Sequence, residues 1–123
     1  MTEKQLFIEN LKKRTEQFAV DIILFCNSLK KCNASSVITY QLVKAATSSG
    51  ANYRAACRAR SKPEFFSKIC IVVEETDETE YWLNIIKRAN LSNDIDELDR
   101  LLKEANEIIR IMTKAKDSSY HRG

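Results

Sequence analysis

The chain has 123 residues, 44% of them hydrophobic and 30% charged, with a net charge of +3. That is one domain, with enough apolar sequence to bury a core unaided. Its two glycines and one proline are too few for a β-rich or loop-rich fold, so long helices with short connections are expected.

The first helix is expected over about 3–31. Ile8, Leu11, Thr15, Phe18, Ile22, Phe25 and Leu29 recur at alternating spacings of three and four and share one face. Residues 1–17 carry charges throughout and have no apolar core of a signal peptide. The most apolar run, Phe18–Cys26, contains Asp21 and falls well short of the roughly 20 residues of a spanning helix. A cytoplasmic protein with no membrane partner is expected. Within that run Val20, Ile23 and Leu24 lie off the main seam. They widen the core face or form a second buried surface, and the latter reading makes the protein a homo-oligomer. Asp21 is expected on the free face or paired with a basic group.

Asn33, Ser35 and Ser36 offer capping oxygens for a second helix over about 37–59. Its seam is Ile38, Leu42, Ala45, Ser49, Asn52, Ala56 and Ala59, a heptad pattern of mostly small side chains. Gly50 alone costs about 1 kcal/mol of helix propensity against alanine. Close approach of a neighbouring helix is the expected compensation. Ser61 and Glu64 have capping-box spacing, and Pro63 suits a first helical turn. They start a third helix over about 62–88, with seam Phe65, Ile69, Val72, Thr76, Thr79, Leu83 and Ile86. Folded antiparallel about the turn, the two seams pair in register, Ser49 opposite Thr76 and Ala45 opposite Thr79. Ser49, Asn52, Thr76 and Thr79 then form a polar layer whose hydrogen bonds must be met internally.

After a connection at 89–93, where Ser92 or Asn93 can cap, the fourth helix is expected over about 94–114. Its seam is Ile95, Leu98, Leu102, Ala105, Ile109 and Met112, widened by Leu101 and Ile108. The architecture is all-α, an antiparallel up-down-up-down four-helix bundle over residues 1–116 with a polar, fraying tail at 117–123.

Residues 37–60 carry Lys44, Arg54, Arg58 and Arg60 and no acid, whereas residues 61–88 carry a net negative charge. Arg54 and Arg58 stand one turn apart beside Tyr53. The four cations are candidate phosphate-contacting groups for nucleic acid. Alternatively they pair with the acidic block Glu74, Glu75, Asp77 and Glu78, within one chain or between subunits, in a structural or protein-interaction scaffold. Tyr81 and Trp82 suit a bundle surface or subunit interface. No catalytic set or phosphate loop is present. The lone histidine is His121 in the tail, and Cys26, Cys32, Cys57 and Cys70 have no CxxC spacing. Neither a metal nor any other cofactor is expected, the thiols being small buried hydrophobes, and the protein is expected not to be an enzyme.

Residues 41–48 (Gln41-Leu42-Val43-Lys44-Ala45-Ala46-Thr47-Ser48), 52–61 (Asn52-Tyr53-Arg54-Ala55-Ala56-Cys57-Arg58-Ala59-Arg60-Ser61), Glu64-Phe65, Glu74-Glu75, Glu78-Thr79 and Trp82-Leu83 carry a likeness. The chain resembles the bacterial four-helix-bundle family encoded in intervening sequences of 23S ribosomal RNA genes. The accessory protein of diversity-generating retroelements looks like a relative. The likeness spans about 6–112. It implies an antiparallel bundle assembling into a ring, a homopentamer, without enzymatic activity and with a role in binding RNA or a nucleoprotein partner. Many members have Asn, Ile, any residue, Glu, Gly in helix two. Here Asn52-Tyr53-Arg54-Ala55-Ala56 keeps only the asparagine.

Overall fold

The computed structural model describes residues 1–120. Four helices follow one another: α1 (Glu3–Cys26), α2 (Asn33–Cys57), α3 (Lys62–Arg88) and α4 (Ile95–Tyr120). Each packs against the next, and α1 closes against α4. This is the antiparallel four-helix bundle expected from the seams. The core is one cluster running along the axis, with Phe18, Ile22, Leu42, Ile69, Leu83, Leu98 and Ile108 among its members.

Helix ends differ from expectation for local reasons. α1 stops at Cys26 rather than near Lys31 because Asn27, Ser28 and Leu29 each donate a backbone hydrogen bond to the carbonyl three residues back. That tighter turn folds Leu29 into the core. Lys30 N–H then donates to Leu91 O at 2.9 Å, tying the α1–α2 and α3–α4 connections together at one end of the bundle. α2 begins earlier than expected, and its cap is none of Asn33, Ser35 and Ser36. Cys32 is the N-cap: its Sγ accepts from Ser35 N–H at 3.4 Å, and Ser35 Oγ accepts from Cys32 N–H at 3.0 Å. Cys32 is therefore exposed, unlike a core thiol. The Ser35 bonds hold its pKa below the ordinary value.

At the α2–α3 turn Ser61 Oγ accepts from Glu64 N–H, as the capping spacing predicts. Glu64 returns its carboxylate to Arg60 N–H instead of to Ser61. α3 ends in a Schellman turn. Asn90 takes the left-handed conformation (φ 56°), Leu91 N–H donates to Ile86 O, and Asn90 N–H donates to Lys87 O. The cap of α4 is Asp94, whose Oδ1 accepts from Glu97 N–H. Ser92 is buried and supports it by accepting from Asp94 N–H. α4 continues past the expected end near 114 to Tyr120, so part of the expected tail is helical. The remaining tail residues, His121 included, lie outside the described residues.

The α2–α3 register is as read from the seams. Ser49 Oγ and Thr76 Oγ1 are 2.8 Å apart in the core. Thr76 spends its proton on Val72 O at 2.7 Å, so Ser49 is the donor to Thr76. Thr79 is buried but bonds its own helix at Glu75 O. Asn52 is only half-buried and donates to Ser48 O and Oγ. The expected four-residue polar layer is thus a single cross-helix bond flanked by locally satisfied groups.

α2 also has a second buried stripe, Ala46, Gly50 and Tyr53, turned to α1. A methyl group at Gly50 would stand 3.4 Å from Thr15 O, so α1 lies close enough that a methyl just fits there. In α4 the seam is Leu98, Leu101, Ala105, Ile108 and Met112, all buried. Leu102 and Ile109 are only half-buried, and Ile95 is exposed.

Two stability outcomes follow. Thr76→Val leaves the Ser49 hydroxyl without its partner and should cost about 1–2 kcal/mol in urea unfolding. Adding Ser49→Ala should restore most of the loss, and a Thr76→Val protein as stable as the parent would contradict the assignment. Gly50→Ala just fits and should raise stability by up to about 1 kcal/mol. Gly50→Val should lower it by about 1–3 kcal/mol as α1 is pushed away.

Candidate nucleic-acid interface

Three of α2's faces are accounted for: one against α3, one against α1 and one open to solvent. The open face runs Val37, Tyr40, Lys44, Thr47, Ala51, Arg54 and Arg58, all exposed, and Arg60 follows in the turn. Lys44 and Arg58 are about 21 Å apart along the helix at 1.5 Å per residue. Among the described residues no ion pair involves Lys44, Arg54, Arg58 or Arg60. Tyr53 does not join them. It is buried between α1 and α2, and its hydroxyl meets the Cys57 thiol. The signal that could have placed it is its three-residue spacing from Gly50 on the small-residue stripe.

Of the acidic block, Glu74, Asp77 and Glu78 are exposed and Glu75 is half-buried. Burial raises the Glu75 pKa and the charge of Glu78 adds to it, while Lys44 opposes the shift from across the α2–α3 groove. Glu78 accepts from Trp82 Nε1 at 3.2 Å, and Trp82 meets Tyr81 edge to face at 5.0 Å. None of Glu74, Glu75, Asp77 and Glu78 forms an ion pair with an arginine among the described residues. Among those residues no three His, Cys, Asp or Glu side chains converge as a metal-holding group.

The arginines that do pair are elsewhere. Arg14 grips Glu104 with two bonds of 2.7 Å and also reaches Glu107. Arg100 donates to Glu97 and, at 3.0 Å, to Asp21. Asp21 is thus paired, the second of the two readings its sequence context allowed. Both sets join α1 to α4 and raise the pKa of the arginine involved, chiefly through the hydrogen bonds the guanidinium groups donate to Glu104 and Glu97.

An apolar area lies at the connection end. Val20, Ile23 and Leu24 on α1 are exposed, as are Val37 and Tyr40 on α2. The contacts of Thr15 with Gly50 and of Cys26 with Thr39 put these residues at the same height on the two antiparallel helices. The apolar run Phe18–Cys26 therefore divides, with Phe18, Ile22, Phe25 and Cys26 inside and Val20, Ile23 and Leu24 outside. No helix of the described residues is long and apolar enough to cross a membrane.

Burial pushes the Cys26, Cys57 and Tyr53 pKa values upward from their ordinary values near 9 and 10. All three groups are neutral when protonated. Their contribution to stability is full below those ordinary values and is lost as pH rises through the folded ones. Urea-unfolding midpoints should fall from about pH 9 upward, and Tyr53→Phe should flatten the fall above about pH 10. An identical decline in Tyr53→Phe would assign the alkaline sensitivity to other groups.

No curated protein matches the chain. Among solved structures it is similar to a protein of unknown function from the S23 ribosomal protein family of Bacteroides thetaiotaomicron VPI-5482. The two share 28% identity and superpose with a TM-score of 0.76 over 85% of this chain and 96% of that one. The family model for the 23S rRNA-intervening sequence protein matches residues 10–114. The bundle, its α2–α3 register and that match agree, and the chain belongs to the 23S rRNA-intervening sequence protein family.

Proposed function

We propose that the protein is a non-enzymatic, self-associating helical bundle that binds RNA, or a nucleoprotein partner, through the basic face of α2. The observation that carries this reading is the row of exposed cations without an ion pair among the described residues. Among the described residues Lys44, Arg54, Arg58 and Arg60 make no ion pair, whereas Arg14 and Arg100 are committed to carboxylates. A helix and its following turn that together carry four cations and no acid from Asn33 to Arg60, with Lys44 to Arg58 spread along about 21 Å, match a phosphate backbone better than one small anion. The row supplies positioning contacts and nothing that reads a base. Self-association is supported by the exposed large apolar residues of α1 and α2 near the connection end, Val20, Ile23, Leu24, Val37 and Tyr40.

A second reading has one observation in its favour. Glu74, Asp77 and Glu78 are exposed on α3 and make no ion pair among the described residues. In a scaffold assembly they would meet the α2 arginines of a neighbouring subunit.

Fluorescence anisotropy with a labelled structured RNA across a salt series distinguishes the two. RNA binding predicts a steep loss of affinity with salt. Each of Arg54→Ala and Arg58→Ala should reduce the log–log slope by roughly 0.7–0.9 with oligomeric mass unchanged. Absence of binding to RNA or DNA at about 50 mM salt would sink the nucleic-acid reading. The scaffold reading predicts that Arg58→Glu breaks the oligomer and that Glu78→Arg rescues it. Light scattering that returns the mass of a single chain at micromolar concentration removes self-association from both.

A further inference from the structure

Among the described residues, the end of the bundle opposite the connections is not filled. α1 begins there, α2 and α3 turn there, and α4 ends there. Between them is a cavity of about 890 Å³, within the range of roughly 300–1,000 Å³ typical of small-molecule sites. Its walls are apolar: Phe7, Ile8 and Leu11 of α1, Phe65 of α3 and Ile111 of α4. Phe7 is 58% exposed, a large aromatic left facing this opening without cover. Small residues shape the rest, with Ala56, Ala59 and Ala115 in the lining. Tyr53 and Cys57 are its polar residues on the α2 side.

The charged side chains that line this space are all cations, with Glu9 and Glu64 standing just outside the lining. Lys4, Arg60, Lys62 and Lys114 line it, and among the described residues no acid does. They come from α1, the α2–α3 turn, α3 and α4, so each element at this end brings a cation. None of them forms an ion pair among the described residues. The helix ends themselves do not set the sign. The N-termini of α1 and α3 and the C-termini of α2 and α4 meet here, and their partial charges oppose. The side chains decide it. An apolar interior under a cationic rim excludes a cationic or purely polar ligand, and it gives a purely apolar one no use for the rim.

The geometry points to this cavity as a binding site for a small amphiphilic anion, an acyl or aryl body seated between the helices with a carboxylate or phosphate head at the lysine and arginine rim. The site is separate from the exposed face of α2, sharing only Arg60 with it, and it does not depend on the nucleic-acid reading.

Isothermal titration of the full chain tests it with three probes below their micelle concentrations: dodecanoate, dodecyl phosphate and dodecyltrimethylammonium. The two anions should bind saturably, one per chain, and the cation at least about ten-fold more weakly. A preference between the anions identifies the head group. Ala115→Trp fills the cavity and should abolish binding. The exposed triple variant Lys4→Glu, Lys62→Glu, Lys114→Glu, with helicity checked by circular dichroism, should weaken the anions by roughly ten-fold or more. Leu24→Ser, in the apolar area at the other end, should leave binding unchanged. Equal affinity for anion and cation would overturn the proposal. So would binding that survives Ala115→Trp, binding lost in Leu24→Ser, or no saturable heat into the millimolar range.

Discussion

Helix α2 has two buried faces and few atoms with which to fill them. Ala45, Ser49 and Ala56 turn to α3, and Ala46 and Gly50 turn to α1. A helix built of such residues gains little from its own side chains, so its neighbours must come close and supply the contacts. The closeness is visible at Gly50, where a methyl would touch the α1 backbone. It is visible again at Ser49, short enough to bond only a side chain on an adjacent backbone, and bonded to Thr76. With α2 fixed to both neighbours, the positions of α1 and α3 are set. α4 then fills the remaining side with an unbroken apolar stripe.

The fourth side of the square is held differently. Arg14 and Arg100 bridge α1 and α4 through Glu104, Glu107 and Asp21. Partly exposed ion pairs are individually weak, with a median of roughly 0–1 kcal/mol, but the bidentate Arg14–Glu104 geometry is the favourable kind. The pairing also sorts the protein's arginines. Arg14 and Arg100 have carboxylates within reach because Asp21, Glu97, Glu104 and Glu107 stand along the α1–α4 side. The arginines on α2 face away from both neighbours, and the acidic α3 block lies mostly beyond their reach. Lys44 and Glu75 do sense each other across that groove.

The sequence made the bundle and the α2–α3 register legible because those seams have single residues at each heptad position. Ser49 opposite Thr76 could be read from numbering alone, since a turn fixed by Ser61 and Pro63 leaves one antiparallel alignment. α4 was harder. Leu101-Leu102 and Ile108-Ile109 are doublets, and a spacing of three or four fits either member. Which of the two is buried depends on where α1 and α3 stand, a fact of tertiary structure. Tyr53 was misplaced because its sequence neighbour Arg54 suggested a surface cluster, while its helical neighbours Ala46 and Gly50 put it inside. Cys32 escaped because a thiol is a weak capping acceptor next to three better ones. It prevails here because the chain leaves Leu29 buried and turns at that residue. Exposure of the α2 cations could not be read at all, since the same charges suit either an ion pair or a free face.

The two ends of the bundle have opposite surface character. At the connections, exposed aliphatic residues and Tyr40 form an apolar exterior over a filled interior. At the turn, a cationic exterior surrounds an unfilled interior. Filling follows from chain economy: two connections fold Leu29 and Ser92 into one end, while at the other there is only the short α2–α3 turn. Lys4 and Lys114 stand at the rim of that end. Arg60 stands where this rim meets the basic face of α2, the one side chain common to both. A ligand that held it would withdraw a cation from that face, and a phosphate that held it would withdraw a cation from the rim. Were both surfaces occupied by anions, each would weaken the other through Arg60, and by the reciprocity of linked binding the two effects would be equal in size.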